Sequence, residues 1–294
     1  MELQFFSAFD RHTVDFKSFI GLLVDKFKPL QIFCFSKRFI MDGMSGTFVE
    51  NTTAYQCHYC LLMVTDTNTR IDHEVQDYAN GLYVDGTITI LCHGQEPISE
   101  AIQKNSRFFI SLYSIGKLIY SRDGINVLNL TRRYDIADAP IKAYNHYQHR
   151  ISLAEAFLIG ANECLAKEQY AVCTFLLHQV VEQCCIGLIR VFLAYRSEVH
   201  NLKRLLLLCN AFSDAPYNLF LSGTKEDTRL FEILVKSYSQ ARYGNTFQVQ
   251  KQDTNALSKK IARFLEMTES MCEEEISRLE KLESKEIEKE VSNV

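Results

Sequence analysis

Two hydrophobic periods divide the chain. Up to Pro29 the apolar residues recur at helical spacing, and a compact β-rich run, 30–35, follows. Two further runs with β-strand character, 57–65 and 87–92, flank a polar stretch with helical spacing at 70–81. A helix followed by strands that alternate with helical segments is typical of a small α/β unit.

The second half shows helical periodicity almost throughout. The pattern predicts five helices, at 152–167, 169–195, 200–211, 226–242 and from about Asp253 onward. The second of them is apolar on nearly every side, which is typical of the central helix of a bundle or of a helix in a dimer interface. The sequence therefore predicts an α+β fold, in which an α/β domain precedes an all-helical domain.

The boundary between these domains is expected near Pro140. We predict an α/β domain at 1–135, a linker at 136–148, a helical bundle at 149–272 and a charged helical tail at 273–294. Between Glu273 and Glu290 the tail holds eight Glu and four Lys or Arg, and this difference equals the net charge of −4 of the whole chain. Its thin apolar stripe favours a solvated helix, with a short coiled-coil contact as the alternative.

Composition and charge narrow the range of functions. With 47% hydrophobic and 23% charged residues the chain has the composition of an ordinary globular protein. Outside the tail the charges balance, which argues against a strongly basic surface but leaves room for a local basic patch. We find neither a signal core nor an apolar run of membrane-spanning length, so we expect a cytoplasmic protein without membrane contact and with ten reduced cysteines.

Three segments of the second half occur in a characteristic order. AVCTFLLHQVVE begins at Ala171, EVHNLKRLL begins at Glu198, and ARY at 241–243 closes a later helix. In this order they resemble the HEPN (higher eukaryotes and prokaryotes nucleotide-binding) family. The resemblance covers roughly 150–270 and implies a helical bundle, a nucleotide or RNA ligand, and a homodimer formed through the HEPN helices.

The same segments place polar groups at helix ends. His200 and Asn201 open a helix, where free N–H groups and the positive end of the dipole favour an anion. Arg242 and Tyr243 close another, where a guanidinium can bind phosphate and a ring can stack on a base. The resemblance implies that the two ends meet in one pocket. The predicted binding residues are His178, Glu182, Arg196, His200, Asn201, Arg242 and Tyr243.

Purely structural roles are open for several of these residues. His200 is compatible with a helix cap, and Arg242 with neutralisation of a helix C-terminus. His178 and Glu182 lie four residues apart on a mostly apolar helix, a spacing that also suits a structural polar pair.

Ribonuclease activity is the main alternative function. Many HEPN domains resemble one another in an Arg-x4-6-His motif, but in this chain three residues lie between Arg196 and His200, and nine lie between Arg190 and His200. Cleavage of RNA requires a base and a cation at a fixed distance. We therefore predict a binding module without a catalytic residue or cofactor, with a ribonuclease that acts as a toxin or defence effector as the alternative. A protein–protein interaction module is the second alternative.

The first half resembles the small nucleotidyltransferases that often precede HEPN domains. In that family a Gly-Ser pair after the first strand cradles phosphate and an Asp-x-Asp on the next strand binds Mg²⁺. In this chain Ser36, the second residue of the segment FSKRF, corresponds to the Gly-Ser pair. His58 and Cys60 correspond to the two Asp residues. His and Cys are poor Mg²⁺ ligands, so the resemblance implies an inactive domain without a bound metal.

A zinc site is a further possibility in the first half. Cys57, Cys60, Cys92 and His93 have the residue types of a zinc ligand set. Residues three apart on a strand, however, face opposite sides of the sheet, so Cys57 and Cys60 are not expected to converge on one ion. We therefore predict no zinc site.

Overall fold

The computed structural model describes residues 11–46, 49–84, 86–124 and 133–292 and divides the chain into two compact units between Tyr134 and Asp135. Residues 1–10 of the predicted first domain, from which we argued against a signal, lie outside the described residues. The first unit consists of α1 (Arg11–Phe27), β1 (Gln31–Gly46), β2 (Val49–Thr65), α2 (Asp72–Leu82), β3 (Gly86–Gly94), α3 (Gln95–Gln103), α4 (Arg107–Ile115) and β4 (Lys117–Ser121).

The four strands form one mixed sheet in the order β3-β2-β1-β4. β1 is antiparallel to both β2 and β4, whereas β2 and β3 are parallel. Parallel neighbours require a crossover connection, and α2 lies between these two strands in the chain. The pairing continues well past Phe35, so the FSKRF segment lies inside β1 and not in a loop after it.

Strand alternation divides the side chains of the sheet between two cores. On one face α1 and α2 cover the strands, and the ring of Phe16 stacks on that of Tyr59 at 4.0 Å. On the other face α4 packs against β1, with the rings of Tyr113 and Phe33 4.7 Å apart. The two-residue period of a strand explains why neighbours in β2 belong to different cores.

In the described residues of the second unit, the regular secondary structure consists of helices. It consists of α5 (Ala139–Ala166), α6 (Tyr170–Leu193), α7 (Leu202–Cys209), α8 (Ala215–Phe220), α9 (Lys225–Tyr243) and α10 (Lys251–Ser292). α6 packs against α5, α7, α9 and α10, and its side chains are buried along most of its length. The predicted central position of this helix is thereby confirmed. The α+β fold class is also confirmed, since the mixed sheet and the helical bundle lie in separate units.

α6 also corrects an expectation about apolar runs. Among the described helices it is the one long and apolar enough to cross a membrane by length and composition, although no such run was expected. Most of that stretch is buried inside the helical unit. The core helix of a soluble protein passes the same test, so the finding is weak evidence for a span.

The predicted linker differs from its observed structure, and the predicted helical tail forms part of a longer helix. The residues expected to form a linker, 136–148, are mostly helical, because α5 begins at Ala139 and buries Ala143 and Tyr147. Pro140 suggested a break, but proline is well tolerated in the first turn of a helix. The expected tail is continuous with α10, and Leu279 is buried in it.

Three short helices were not predicted. α3 and α4 have nine residues each, and α8 has six. Two or three turns carry too few apolar repeats to stand out from the surrounding sequence.

Candidate functional site

The predicted polar pair of α6 is buried, and its neighbours lie in α9 and in the segment just before α7. His178 and Glu182 are 2% and 4% exposed and lie one helical turn apart on the same face. The Nδ1 atom of His200 lies 2.8 Å from the Glu182 Oε1 atom, so its N–H donates to this carboxylate. His200 itself is exposed. A buried acid therefore holds an exposed imidazole at the start of α7.

The end of α9 reaches the same part of α6. The ring of Tyr238 lies 4.9 Å from that of His178, and the Arg242 guanidinium lies 4.2 Å above the Tyr238 ring and 5.4 Å from that of Phe175. The Arg242 Nε atom donates to the Tyr238 carbonyl oxygen at 2.6 Å. These contacts hold an exposed guanidinium against the aromatic rings with most of its N–H donors available.

A buried hydroxyl anchors α9 to α6 at this point. Ser237 has no exposed surface, and its Oγ atom lies 3.2 Å from the Thr174 carbonyl oxygen of α6 and 2.7 Å from that of Leu234. This hydrogen bond holds α9 against α6 five residues before Arg242.

The remaining predicted residues have different roles. The Asn201 Oδ1 atom accepts from the Arg204 backbone N–H at 3.0 Å, so Asn201 is the N-cap of α7. The structural role considered for His200, a helix cap, thus belongs to its neighbour. Arg196 is exposed in the loop before α7, with its Nε atom 3.9 Å from Glu198 Oε1. Tyr243 is 78% exposed and its ring lies 5.0 Å from the Arg242 guanidinium.

Burial controls the charge of His178. Desolvation, the largest cause, together with the nearby Arg242 and His200, lowers the pKa of this imidazole from 6.5 to about 4. Its Nδ1 atom lies 3.9 Å from Glu182 Oε2, a contact that would favour the protonated ring. The Nδ1 atom also lies 3.2 Å from the Gln179 amide nitrogen, which can only donate. Nδ1 therefore carries no proton, and His178 is neutral at pH 7.

Tyr238 is the member of the site that sequence analysis missed. It precedes Arg242 by four residues, so the two side chains share one face of α9. That spacing was visible in the sequence, but nothing local indicated that this face of α9 packs on His178.

The predicted positions of the first unit form a separate cluster in the sheet. Ser36 pairs in register with Cys60, inside β1, so it lies in a strand and not in a phosphate-binding loop. The His58 Nδ1 atom lies 2.7 Å from Thr87 Oγ1, and its Nε2 atom lies 3.2 Å from Cys60 Sγ. His58 and Cys60 share a face, as their spacing predicts, and bind each other.

The four candidate zinc ligands are split between the two faces of the sheet. Cys57 and Cys92 belong to the core beneath α1 and α2. Cys60 bonds to His58 on the opposite face, and the ring of His93 lies 5.3 Å from that of Phe109 in α4. In the described part of the chain, no three His, Cys, Asp or Glu side chains are grouped so as to hold a metal ion.

Comparison with known proteins finds a family match for most of the helical unit. Residues 147–271 match the family model described as the HEPN domain, which confirms the resemblance for this part of the chain. A solved structure described as an archaeal HEPN homologue is 18% identical, covers 43% of this chain and 97% of its own, and has a TM-score of 0.32. A search of curated proteins gives no match. The second unit thus contains a HEPN domain, and the nucleotidyltransferase likeness of the first unit stays a prediction.

Proposed function

We propose that the protein is a nucleotide- or RNA-binding module whose ligand occupies the junction of α6, α7 and α9. One observation carries this proposal: a buried acid, Glu182, holds the exposed His200 at 2.8 Å, and α9 places the Arg242 guanidinium close enough to lower the pKa of the neighbouring His178. Three helices thus direct an imidazole and a guanidinium toward one region of the surface.

The chemistry of these groups suits a phosphate and a base. A guanidinium binds two phosphate oxygens at once, and this one is already held by a ring and a carbonyl group. The exposed ring of Tyr243 offers a face for stacking on a base. The Nε2 atom of His200 is free to face a second phosphate oxygen while its Nδ1 atom stays on Glu182, and it donates to that oxygen in the doubly protonated form of the ring.

For the first unit we propose a non-catalytic nucleotidyltransferase-like domain. The support is the chemistry of the two positions that would hold Mg²⁺. His58 and Cys60 offer nitrogen and sulfur, and they bond to each other and to Thr87. Mg²⁺ requires hard oxygen donors in octahedral geometry, so this pair does not fit the ion.

The setting of the proposed module follows from the same resemblance. We propose a cytoplasmic homodimer formed through the HEPN helices, without membrane contact, and with a protein partner as a further possibility. Sedimentation of the purified protein over a hundredfold concentration range tests the dimer. A monomer at all concentrations would contradict it.

A thermal-shift screen tests the proposed ligand. Nucleoside mono-, di- and triphosphates and a short RNA are added with and without Mg²⁺, because a ligand that binds only the folded state raises the unfolding midpoint. A concentration of one hundred times Kd corresponds to about 2.7 kcal/mol of stabilisation. We expect Arg242→Gln to abolish the shift. Lys236→Gln, an equal charge change on the same helix at a residue paired with Glu232, is the control.

The other outcomes of the screen are equally informative. A Mg²⁺-dependent shift that survives Arg242→Gln would place the ligand in the first unit. If no ligand shifts the unfolding midpoint, the proposal is overturned, and a protein–protein interaction module becomes the favoured function.

Metal-independent RNA cleavage is the second candidate function. It is favoured by the Glu182–His200 pair, because a carboxylate that orients an imidazole is the usual arrangement of a general base. RNA cleavage without Mg²⁺, reduced at least about a hundredfold by His200→Ala, would support it. Growth arrest on overexpression, relieved by the same substitution, would support a toxin or defence role. Intact RNA after prolonged incubation would leave the binding function alone.

A further inference from the structure

A group of basic side chains lies on α5, on α6 and in the loop after α6, and of these only Arg196 was among the residues predicted for the site just described. His146, His149 and Arg150 follow one another at spacings of three and one in α5, so His146 shares a face with the other two. Arg190 lies in the last turn of α6, and Arg196 in the loop that follows. Apart from Arg196, these residues lie on α5 and α6, two helices that pack directly against each other.

A glycine brings the two helices together at this point. The Arg150 Nη1 atom donates to the Gln183 Oε1 atom of α6 at 2.7 Å. A Cβ atom added at Gly187 would lie 3.3 Å from the Arg150 Cβ atom. Gln183, Gly187 and Arg190 lie on one face of α6 at successive turns. Arg150 therefore lies across α6 on the face that carries Arg190.

These charges act on one another, and Arg196 is paired with an exposed acid, Glu198, at 3.9 Å. Burial lowers the pKa of Arg190, and Arg196 and Arg150 lower it further. Burial also lowers the pKa of His146, with added repulsion from Arg190, Arg150 and His149. Within the described ranges, neither Arg150 nor Arg190 forms an ion pair with a carboxylate. An anion bound here would relieve this repulsion.

We propose that these five residues, His146, His149, Arg150, Arg190 and Arg196, form a basic surface that binds the phosphates of a single-stranded nucleic acid. The inference rests on the proposed function for the identity of the ligand, and it extends that function from a nucleotide to a polynucleotide. Guanidinium groups match phosphate oxygens in pairs, and several cations spread over two helices suit a chain of charges better than a single one.

The position of the basic surface beside the candidate site supports this ligand. Glu182 and Gln183 are consecutive residues of α6: the first holds His200 and the second holds Arg150. Their Cα atoms are only about 3.8 Å apart. Arg196 and His200 also share the short segment between α6 and α7. A strand with one nucleotide at the site can therefore continue along the segment that joins His200 to Arg196.

Titration of a fluorescent twelve-nucleotide RNA at several salt concentrations tests the proposal. We expect Arg190→Gln and Arg196→Gln each to weaken binding about three- to tenfold. Each should also reduce the slope of log Kd against log salt by about 0.7, the value for one phosphate contact on a single strand. Arg263→Gln removes an exposed arginine of α10 and is the matched control. Arg196→Lys should restore the salt slope, because it restores the charge.

Each outcome bears on the proposal. Unchanged RNA affinity and salt slope in both arginine variants, with AMP binding still dependent on Arg242, would overturn the basic surface and leave the proposed function intact. The same conclusion would follow if Arg242→Gln lost both AMP and RNA binding while Arg190→Gln and Arg196→Gln kept both. Single-stranded DNA bound with the same slope would support a backbone-binding surface. Tighter binding of polyglutamate than of RNA would overturn the proposal in favour of an acidic protein. Circular dichroism confirms folding, and Arg196→Gln, in an exposed loop, is the variant least prone to misfold.

Discussion

Two buried histidines, one in each unit, show how similar residues serve different purposes. His58 is 4% exposed and His178 is 2% exposed. His58 bonds through both ring nitrogens to neutral groups of the same sheet, the Thr87 hydroxyl and the Cys60 thiol. His178 lies beside a carboxylate, Glu182, whose other oxygen holds an exposed imidazole.

The difference lies in where each set of hydrogen bonds ends. The bonds of His58 to Thr87 and Cys60 join neighbouring strand residues, so they stabilise the sheet. The bonds around His178 lead to His200 at the surface, beside an exposed guanidinium. A buried histidine therefore indicates a site when its hydrogen-bonded neighbours connect it to the surface.

The largest expected effect is on the pH dependence of stability. The pKa of His178 is lowered from 6.5 to about 4 in the folded state, so the folded state favours the neutral ring. Its contribution to stability is complete above pH 6.5 and is lost as the pH falls toward 4, because the unfolded chain takes up the proton first. The loss is about 3 kcal/mol.

Urea unfolding at several pH values measures this loss. His178→Asn, whose side-chain oxygen can replace Nδ1 as an acceptor, should flatten the profile between pH 6.5 and 4, and the difference from the native protein isolates His178. Parallel profiles would show that His178 titrates as in the unfolded chain.

Removal of the sheet histidine should cost somewhat less and leave the ligand untouched. We expect His58→Leu to destabilise the protein by about 2 kcal/mol, because Thr87 and Cys60 lose a buried partner. Thr87→Val should cost about 1 kcal/mol, and the two losses should not add. Urea midpoints measure both. Loss of nucleotide binding at unchanged stability would instead make the sheet cluster a ligand site.

Loss of a helix cap should cost less again. Asn201→Ala removes the acceptor of the Arg204 N–H at the start of α7, for an expected loss of about 1 kcal/mol. Thr224→Ala is the matched control, because Thr224 caps α9 through the Asp227 N–H at 3.1 Å. Nucleotide affinity, measured where both variants are folded, should be unchanged. A selective loss of affinity in Asn201→Ala would return that residue to the binding site.

The smallest expected effect on stability is at Tyr243. Its ring is 78% exposed, so Tyr243→Ala should change the free energy of unfolding by less than about 0.5 kcal/mol. Affinity for a nucleotide should fall about fivefold, as expected for the loss of one stacking ring. Calorimetric titration measures this affinity, and Tyr243→Phe is the control that keeps the ring. Equal affinity in all three proteins would remove Tyr243 from the site.

Much of the helical unit could be predicted from its sequence. The apolar residues on nearly every side of α6 indicated a central helix. Three motifs identified the HEPN domain, and the family comparison confirms it at 147–271. The site was predicted less completely. Tyr238 was missed, and Asn201 proved to be a cap. A side chain's role in a pocket depends on which helices meet there, and local spacing carries little information about that.

In the first unit the face of each side chain was predictable, but the length of the strands was not. His58 and Cys60 share a face because the strand period is two. β1 extends past Phe35 because it pairs with the whole of β2, and that pairing partner lies elsewhere in the chain. Pro140 favoured a linker where the structure has a helix, because proline is accepted in the first turn of a helix.

By itself, the sequence determined which residues share a face: His58 with Cys60 along a strand, and His178 with Glu182 along a helix. These relations depend only on the backbone period, which is a local property. The tertiary structure decided that Glu182 bonds to His200 and that Arg150 lies across α6 on the face of Arg190. Such contacts join residues far apart in the chain and depend on how closely the helices approach. That is why a close-packing glycine and a buried carboxylate could be assigned a purpose only in the folded molecule.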